Sequence, residues 1–130
     1  ELKKHLDAKG IEYIDFGTDS TASCDYPVYA EKVCRAIQSG ECEKGILICG
    51  TGIGMSICAN KFKGIRAACC GDHFSAEFTR KHNNSNVLCM GARTIGAGVA
   101  LQLADIFLST EFEGGRHQNR VDMITAFEEE

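Results

Sequence analysis

The sequence predicts one α/β domain: a three-layer, doubly wound parallel sheet of the Rossmann-like kind. Three observations carry that expectation. Short and almost wholly apolar runs recur along the chain, such as GILIC at Gly45–Cys49 and VLCM at Val87–Met90, as strands buried on both faces require. Helix-like segments separate these runs at short, regular intervals. A glycine-rich turn, Gly50-Thr51-Gly52-Ile53-Gly54, joins one such run to the helix pattern that follows it.

Taken in order, Leu2, Leu6 and the alkyl stems of neighbouring lysines read as the end of an amphipathic helix stopped at Gly10. Ile11 to Phe16 reads as a strand closed by Gly17. A loop rich in Thr, Ser and Asp leads to Tyr26-Pro27, where proline opens a helix that runs to about Ser39, with Gly40 beyond it. Gly45–Cys49 is a predicted strand, Ile53–Lys61 a helix, Ile65–Cys70 a strand and His73–His82 a helix. Val87–Met90 is the next strand, Ile95–Leu108 a helix, and Arg116–Glu128 the last helix. No shift in composition or internal repeat divides residues 1–130. The chain opens on a helix, whereas a helix in such a sheet follows a strand and the first strand lies centrally. We therefore expect a strand upstream of Glu1; a sheet without it would carry a gap.

Composition narrows the function. The 130 residues carry a net charge of -4, which gives no basis for a nucleic acid or an acidic membrane surface as partner. No apolar run approaches membrane-spanning length, and no basic segment with an apolar core marks a secretory signal. The eight cysteines form no C-x-x-C pair, and several sit inside apolar runs. They read as reduced thiols of a cytoplasmic protein, not as a disulfide framework or a structural zinc site.

The glycine turn admits three readings. A dinucleotide cradle needs G-x-G-x-x-G, but the turn is G-x-G-x-G and Met55 stands where the third fingerprint residue belongs; Asp72 would be its acid. A nucleoside-triphosphate loop is absent. The third reading is a nest: Gly50, Gly52 and Gly54 expose N–H groups before a helix, suited to a phosphate or to an oxyanion that develops during reaction. Cys49 stands beside that nest, where its thiol pKa would fall and it could act as a base. It reads equally as a small apolar strand residue.

The run ILICGTGIGMSICANKFKGIRA, Ile46–Ala67, closely resembles the B-type ribose-5-phosphate isomerases, within the sugar-phosphate isomerase family that also holds galactose-6-phosphate isomerase subunits. The resemblance continues through IDFGT at Ile14–Thr18, DYP at Asp25–Pro27, FSAEFTRKHNNSN at Phe74–Asn86, GAR at Gly91–Arg93 and EFEGGRHQNRV at Glu111–Val121. It implies an aldose–ketose isomerase working through a cis-enediolate without metal or nucleotide cofactor. Cys49 would be the base moving the proton between C1 and C2, and Thr51 would serve the proton between O1 and O2 or steady those oxygens. The amides from Gly50 through Gly52 and Ile53 to Gly54 would stabilise the enediolate. His82 would open the furanose ring and Asn83 would hold sugar oxygens. Arg93, Arg116 and Arg120 would hold the phosphate; the last two are four apart, on one helical face. Asp25 and Tyr26 are candidate pocket-wall residues.

The same resemblance implies a homodimer with its active site between subunits, the arm and helix of residues 111–130 reaching the neighbour, and assembly into a dimer of dimers as a further option. The combination of Cys49, His82 and Arg93 favours ribose 5-phosphate and ribulose 5-phosphate; allose 6-phosphate and galactose 6-phosphate are the alternatives. The family opens with a strand and an Asp-His-Ala-Gly-like loop, which no residue from Glu1 onward matches. A molecule without them is expected to have an incomplete sheet and little activity.

Overall fold

The computed structural model describes residues 1–17 and 25–130. The Thr/Ser/Asp-rich loop lies outside the described residues, as does Thr18 of IDFGT. The elements in chain order are α1 (Leu2–Ala8), α2 (Tyr26–Gln38), β1 (Gly45–Cys49), α3 (Ile53–Ala59), β2 (Ala67–Cys69), α4 (His73–Asn83), β3 (Val87–Gly91), α5 (Ala97–Ser109) and α6 (Arg116–Ala126), with a closing 3-10 turn at Phe127–Glu129. The strands are all parallel, in the order β1-β3-β2.

The side-chain alternation of the strands feeds two cores. Val87 and Cys89 of β3 and Leu47 of β1 pack with Ala30 and Cys34 of α2 and with Met55 and Ala59 of α3. Leu88 and Met90 point the other way, onto Ala76 of α4 and Leu103 and Phe107 of α5. The central strand β3 is buried throughout, which is why its sequence is apolar at every position. The result is the expected helix–sheet–helix sandwich.

One predicted strand is corrected. Ile11–Phe16 forms no strand; Tyr13 is 39% and Ile14 50% exposed, and no backbone ladder runs beside them. A strand is a property of a pair, and this segment has the right residues without a partner. The predicted strand Ile65–Cys70 shortens to Ala67–Cys69. At its outer edge the Asn60 side chain stands in for a neighbouring strand: its Nδ2 donates to Ala67 O at 3.0 Å and its Oδ1 accepts from Ala67 N at 2.9 Å. Other helix ends move by a residue or two, within ordinary fraying.

α4 runs back along the sheet. It starts just beyond the carboxyl end of β2, capped by Asp72, whose carboxylate accepts from Ser75 N at 2.8 Å and from Ser75 Oγ at 2.8 Å. It ends at the amino ends of the strands, where Arg66 donates through Nε to Asn83 O and through Nη2 to Asn84 O. Asn84 closes the helix in the left-handed region, φ 47°.

Candidate active site

The carboxyl end of β1 delivers Cys49 to the glycine turn, opposite Gly91 of β3. Gly52 N–H donates to Cys49 Sγ at 3.2 Å. Burial pushes the thiol's pKa up, but the N–H groups of Met55, Gly52, Thr51 and Gly54 together outweigh burial and hold it below the ordinary thiol value. Every other displaced thiol among the described residues moves upward. Burial takes Cys34 and Cys70 to about 11 and raises Cys69 and Cys89. The seven described cysteines are free. Cys49 is thus set apart by the loop after it, not by its place in an apolar strand.

The glycines hold the turn close to the protein itself. Gly52 has φ +81°, and a Cβ there would fall 2.9 Å from the Met90 carbonyl carbon and 3.0 Å from Cys69 Sγ. At Gly54 a Cβ would fall 2.6 Å from the Tyr26 hydroxyl. The close-approach surfaces that a pyrophosphate would need are therefore filled by β3 and by Tyr26. Asp72, the acid of the dinucleotide reading, is committed to capping α4. Both facts weigh against that reading.

Thr51 is exposed, and its Oγ1 accepts from Ile53 N at 3.2 Å; Ile53 opens α3 with its side chain in solvent. The loop after β3 is stitched to this turn, since Ala92 N donates to Cys49 O at 2.8 Å and Arg93 N to Gly50 O at 3.0 Å. Arg93 Cδ lies 3.6 Å from where a Gly50 Cβ would be. Cys49, Thr51, Gly50 through Gly54, Tyr26 and Arg93 therefore share one end of the sheet. Asp25 occupies the exposed N-cap position of α2 without a side-chain cap bond.

The remaining predicted residues gather elsewhere. His82 and Asn83 form the last turn of α4, at the opposite end of the strands. The five residues of β1 rise about 13 Å, and α4 about 16 Å, so His82 stands well outside hydrogen-bond reach of Cys49 in the same chain. The His82 ring lies edge-on to Phe78 and stacks on His117, with centroids 4.0 Å apart and planes at 10°. Both Nε2 atoms lie 3.6 Å from Glu113 Oε1. Arg116 and Arg120 lie exposed on α6, on either side of the buried His117. Burial and the charges of His82 and Arg116 lower the His117 pKa, against a smaller opposing pull from Glu113.

Sequence reasoning missed Glu113, His117, Arg80 and Gly91. Glu113 and His117 are four apart, a spacing legible in the sequence. Arg80 is buried; its Nη1 donates to Ser85 O at 2.7 Å and to Asn84 Oδ1 at 2.9 Å, and its Nε to Thr110 O at 3.0 Å. It ties the end of α4 to the start of the arm and so brings Glu113 to His82. A Cβ at Gly91 would lie 2.7 Å from Thr51 Cα, so this glycine lets β3 pass under the turn.

No helix among the described residues is long and apolar enough to cross a membrane. The chain is 50% identical over 129 residues to ribose-5-phosphate isomerase B of Escherichia coli, covering 99% of this chain and 87% of that protein. Ribose-5-phosphate isomerase B of Clostridium thermocellum superposes with a TM-score of 0.96 at 48% identity, over 98% of this chain and 86% of that one. The Mycoplasma genitalium enzyme, solved with bound ribulose-5-phosphate, superposes at 0.94 with 39% identity, over 99% and 86% of the two chains. With residues 1–124 matching the family described as Ribose/Galactose Isomerase, the chain belongs to that family.

Proposed function

We infer that the protein interconverts D-ribose 5-phosphate and D-ribulose 5-phosphate, with Cys49 as the base. The observation that carries this is the Cys49 thiol, lowered in pKa by four backbone N–H groups at the mouth of a parallel sheet. A proton alpha to a carbonyl needs a base within reach and donors aimed where charge develops. Cys49 thiolate takes the proton from C2 of the open aldose, leaving a cis-enediolate whose oxygen is met by amides of Gly50–Gly54. The same thiol returns the proton to C1, while Thr51 serves the proton shift between O1 and O2. Oxidation at one carbon balances reduction at the other, so no outside electron carrier is involved. Cys49→Ala is expected to lower kcat by roughly 10²–10⁴; unimpaired turnover would remove the base from the mechanism.

The distance between the Cys49 end and the His82 end supports a homodimer in which each site takes His82, Asn83, Arg116 and Arg120 from the partner subunit. Residues 111–130 then form the element that reaches across. His82 opens the furanose ring, Asn83 holds sugar oxygens, and Arg93, Arg116 and Arg120 hold the phosphate. Tyr26 and Asp25 wall the pocket. Mixing Cys49→Ala with His82→Ala subunits tests this directly. Equal mixing should restore roughly a quarter of wild-type turnover, because half the dimers are mixed and each carries one intact site. Turnover that stays at the sum of the two parents would show that the site is not shared. The free thiols agree with a cytoplasmic setting. Relative kcat/KM for ribose 5-phosphate, allose 6-phosphate and galactose 6-phosphate decides substrate preference, with the pentose expected to lead.

A further inference from the structure

The end of α4 holds a buried pair of hydroxyls to which the isomerase chemistry gives no task. Asn84, in the left-handed region at φ 47°, turns the chain back on the helix it has just ended. Ser85 is thereby returned against the last turns of α4. Its N–H donates to Thr79 O at 3.2 Å, and its carbonyl accepts from Arg80 Nη1 at 2.7 Å. With both backbone groups fixed, Ser85 sets its Oγ 2.6 Å from Thr79 Oγ1. Ser85 is 3% and Thr79 8% exposed, so both hydroxyls depend on partners within the protein.

Proton counting fixes the direction of these bonds. Thr79 Oγ1 also donates to Asn83 Oδ1, four residues on, at 3.1 Å. A threonine hydroxyl has a single proton, so in its other bond it accepts and Ser85 is the donor. The relay runs from Ser85 Oγ to Thr79 Oγ1 and from Thr79 Oγ1 to Asn83 Oδ1. The main-chain carbonyl of Asn83 meanwhile accepts from Arg66 Nε at 3.1 Å. Asn83 is therefore held by its backbone and by its amide oxygen together. Its Nδ2 is left without a partner among the described residues, on an exposed side chain. That side chain lines both the cleft bounded by Arg66 and the cleft bounded by His82.

We propose that Thr79, backed by Ser85, is a positioning residue that fixes the Asn83 amide with its N–H donors turned toward the substrate. An untethered amide can offer either its oxygen or its nitrogen; this one offers donors alone, which matches it to substrate oxygens that accept. The tether also removes side-chain freedom before the substrate arrives, so little ordering is left for binding to impose. The functional half of the proposal rests on the reading that Asn83 holds sugar oxygens, whereas the orientation of the amide does not.

A double-mutant cycle on kcat/KM for ribose 5-phosphate, run beside ¹⁵N relaxation of the Asn83 side-chain amide, separates the two. Thr79→Val keeps the shape of the side chain and removes the hydroxyl. It should lower kcat/KM roughly 2–10-fold, the range set by leaving one polar side chain unordered, and Thr79→Ser should recover the loss. In an Asn83→Ala background, Thr79→Val should cause no further loss. The Asn83 amide should be rigid on the nanosecond scale in the wild type and Thr79→Ser, and mobile in Thr79→Val. Equal losses in both backgrounds, or an amide as rigid without the hydroxyl as with it, would overturn the proposal. Asn83→Ala with wild-type turnover, beside an amide loosened by Thr79→Val, would uphold the tether and overturn the role given to Asn83. If Thr79→Val folds poorly, Asn83→Asp decides from the exposed side. Its carboxylate still accepts from Thr79 but brings no donor, so its loss should match or exceed that of Asn83→Ala. Near wild-type turnover in Asn83→Asp would overturn the donor orientation.

Discussion

Gly91→Ala is the sharpest test of how the glycine turn beside Cys49 is held. The new methyl would lie 2.4 Å from Thr94 Oγ1, and 2.7 Å from both Cα and the carbonyl carbon of Thr51. Thr94 can rotate away, but the Thr51 contacts are backbone. Ordinary contact begins at 3.4 Å, so Thr51 must move by 3.4 − 2.7, about 0.7 Å. Overpacking of this kind costs about 1–3 kcal/mol. The larger effect falls on chemistry, because Thr51 carries one of the N–H groups that lower the Cys49 pKa. A misplacement near 1 Å costs roughly 10²-fold, so kcat should fall about 10–100-fold with a smaller change in KM. The pH midpoint of Cys49 alkylation should rise. Gly98→Ala is the control: nothing lies within 4 Å of its Cβ position, in the exposed first turn of α5. It should leave turnover intact and stabilise by up to about 1 kcal/mol. Urea unfolding, steady-state kinetics and iodoacetamide alkylation read all three quantities. Gly91→Ala with wild-type kcat and an unmoved alkylation midpoint would refute the reasoning.

The other predictions concern pH and packing. In the wild type, alkylation of Cys49 should titrate below the ordinary thiol value, with Cys49→Ser removing that early phase; a midpoint at or above it would contradict the amide nest. The His117 pKa is lowered from 6.5 in the fold. The unfolded chain therefore binds more protons as pH falls through the ordinary histidine range, and stability should drop there and be fully retained above it. Urea curves at pH about 7.5 and 5.5 should show a smaller loss in His117→Gln than in the wild type. Phe107 is fully buried beneath α4 and β3; Phe107→Ala should cost about 3–5 kcal/mol by urea unfolding, and a loss below about 1 would mean that the core beside it is loosely packed.

What the sequence revealed follows from how local each feature is. β1 and β3 were legible because strands covered on both faces must be apolar at nearly every position. The helices were legible through period and caps, as at Pro27 and Gly40 on either end of α2. Ile11–Phe16 misled because strand-like residues do not reveal whether a partner lies alongside. Gly52 and Gly54 were read as exposing amides; that they also make room for Met90 and Tyr26 depends on neighbours distant in sequence. Cys49 could be named as a candidate base, yet its distance from His82 depends on α4 turning back across the sheet. The Glu113–His117 spacing was visible, but its meeting with His82 depends on the buried Arg80 bonds.

The two edges of the sheet end in different chemistry. Beside β2, the Asn60 amide already occupies the donor and acceptor of Ala67, so no further strand can align there without displacing it. β1 is paired only with β3. Among the described strands, growth of the sheet is therefore one-directional: an extended segment, from this chain or another, adds beside the strand that ends in Cys49.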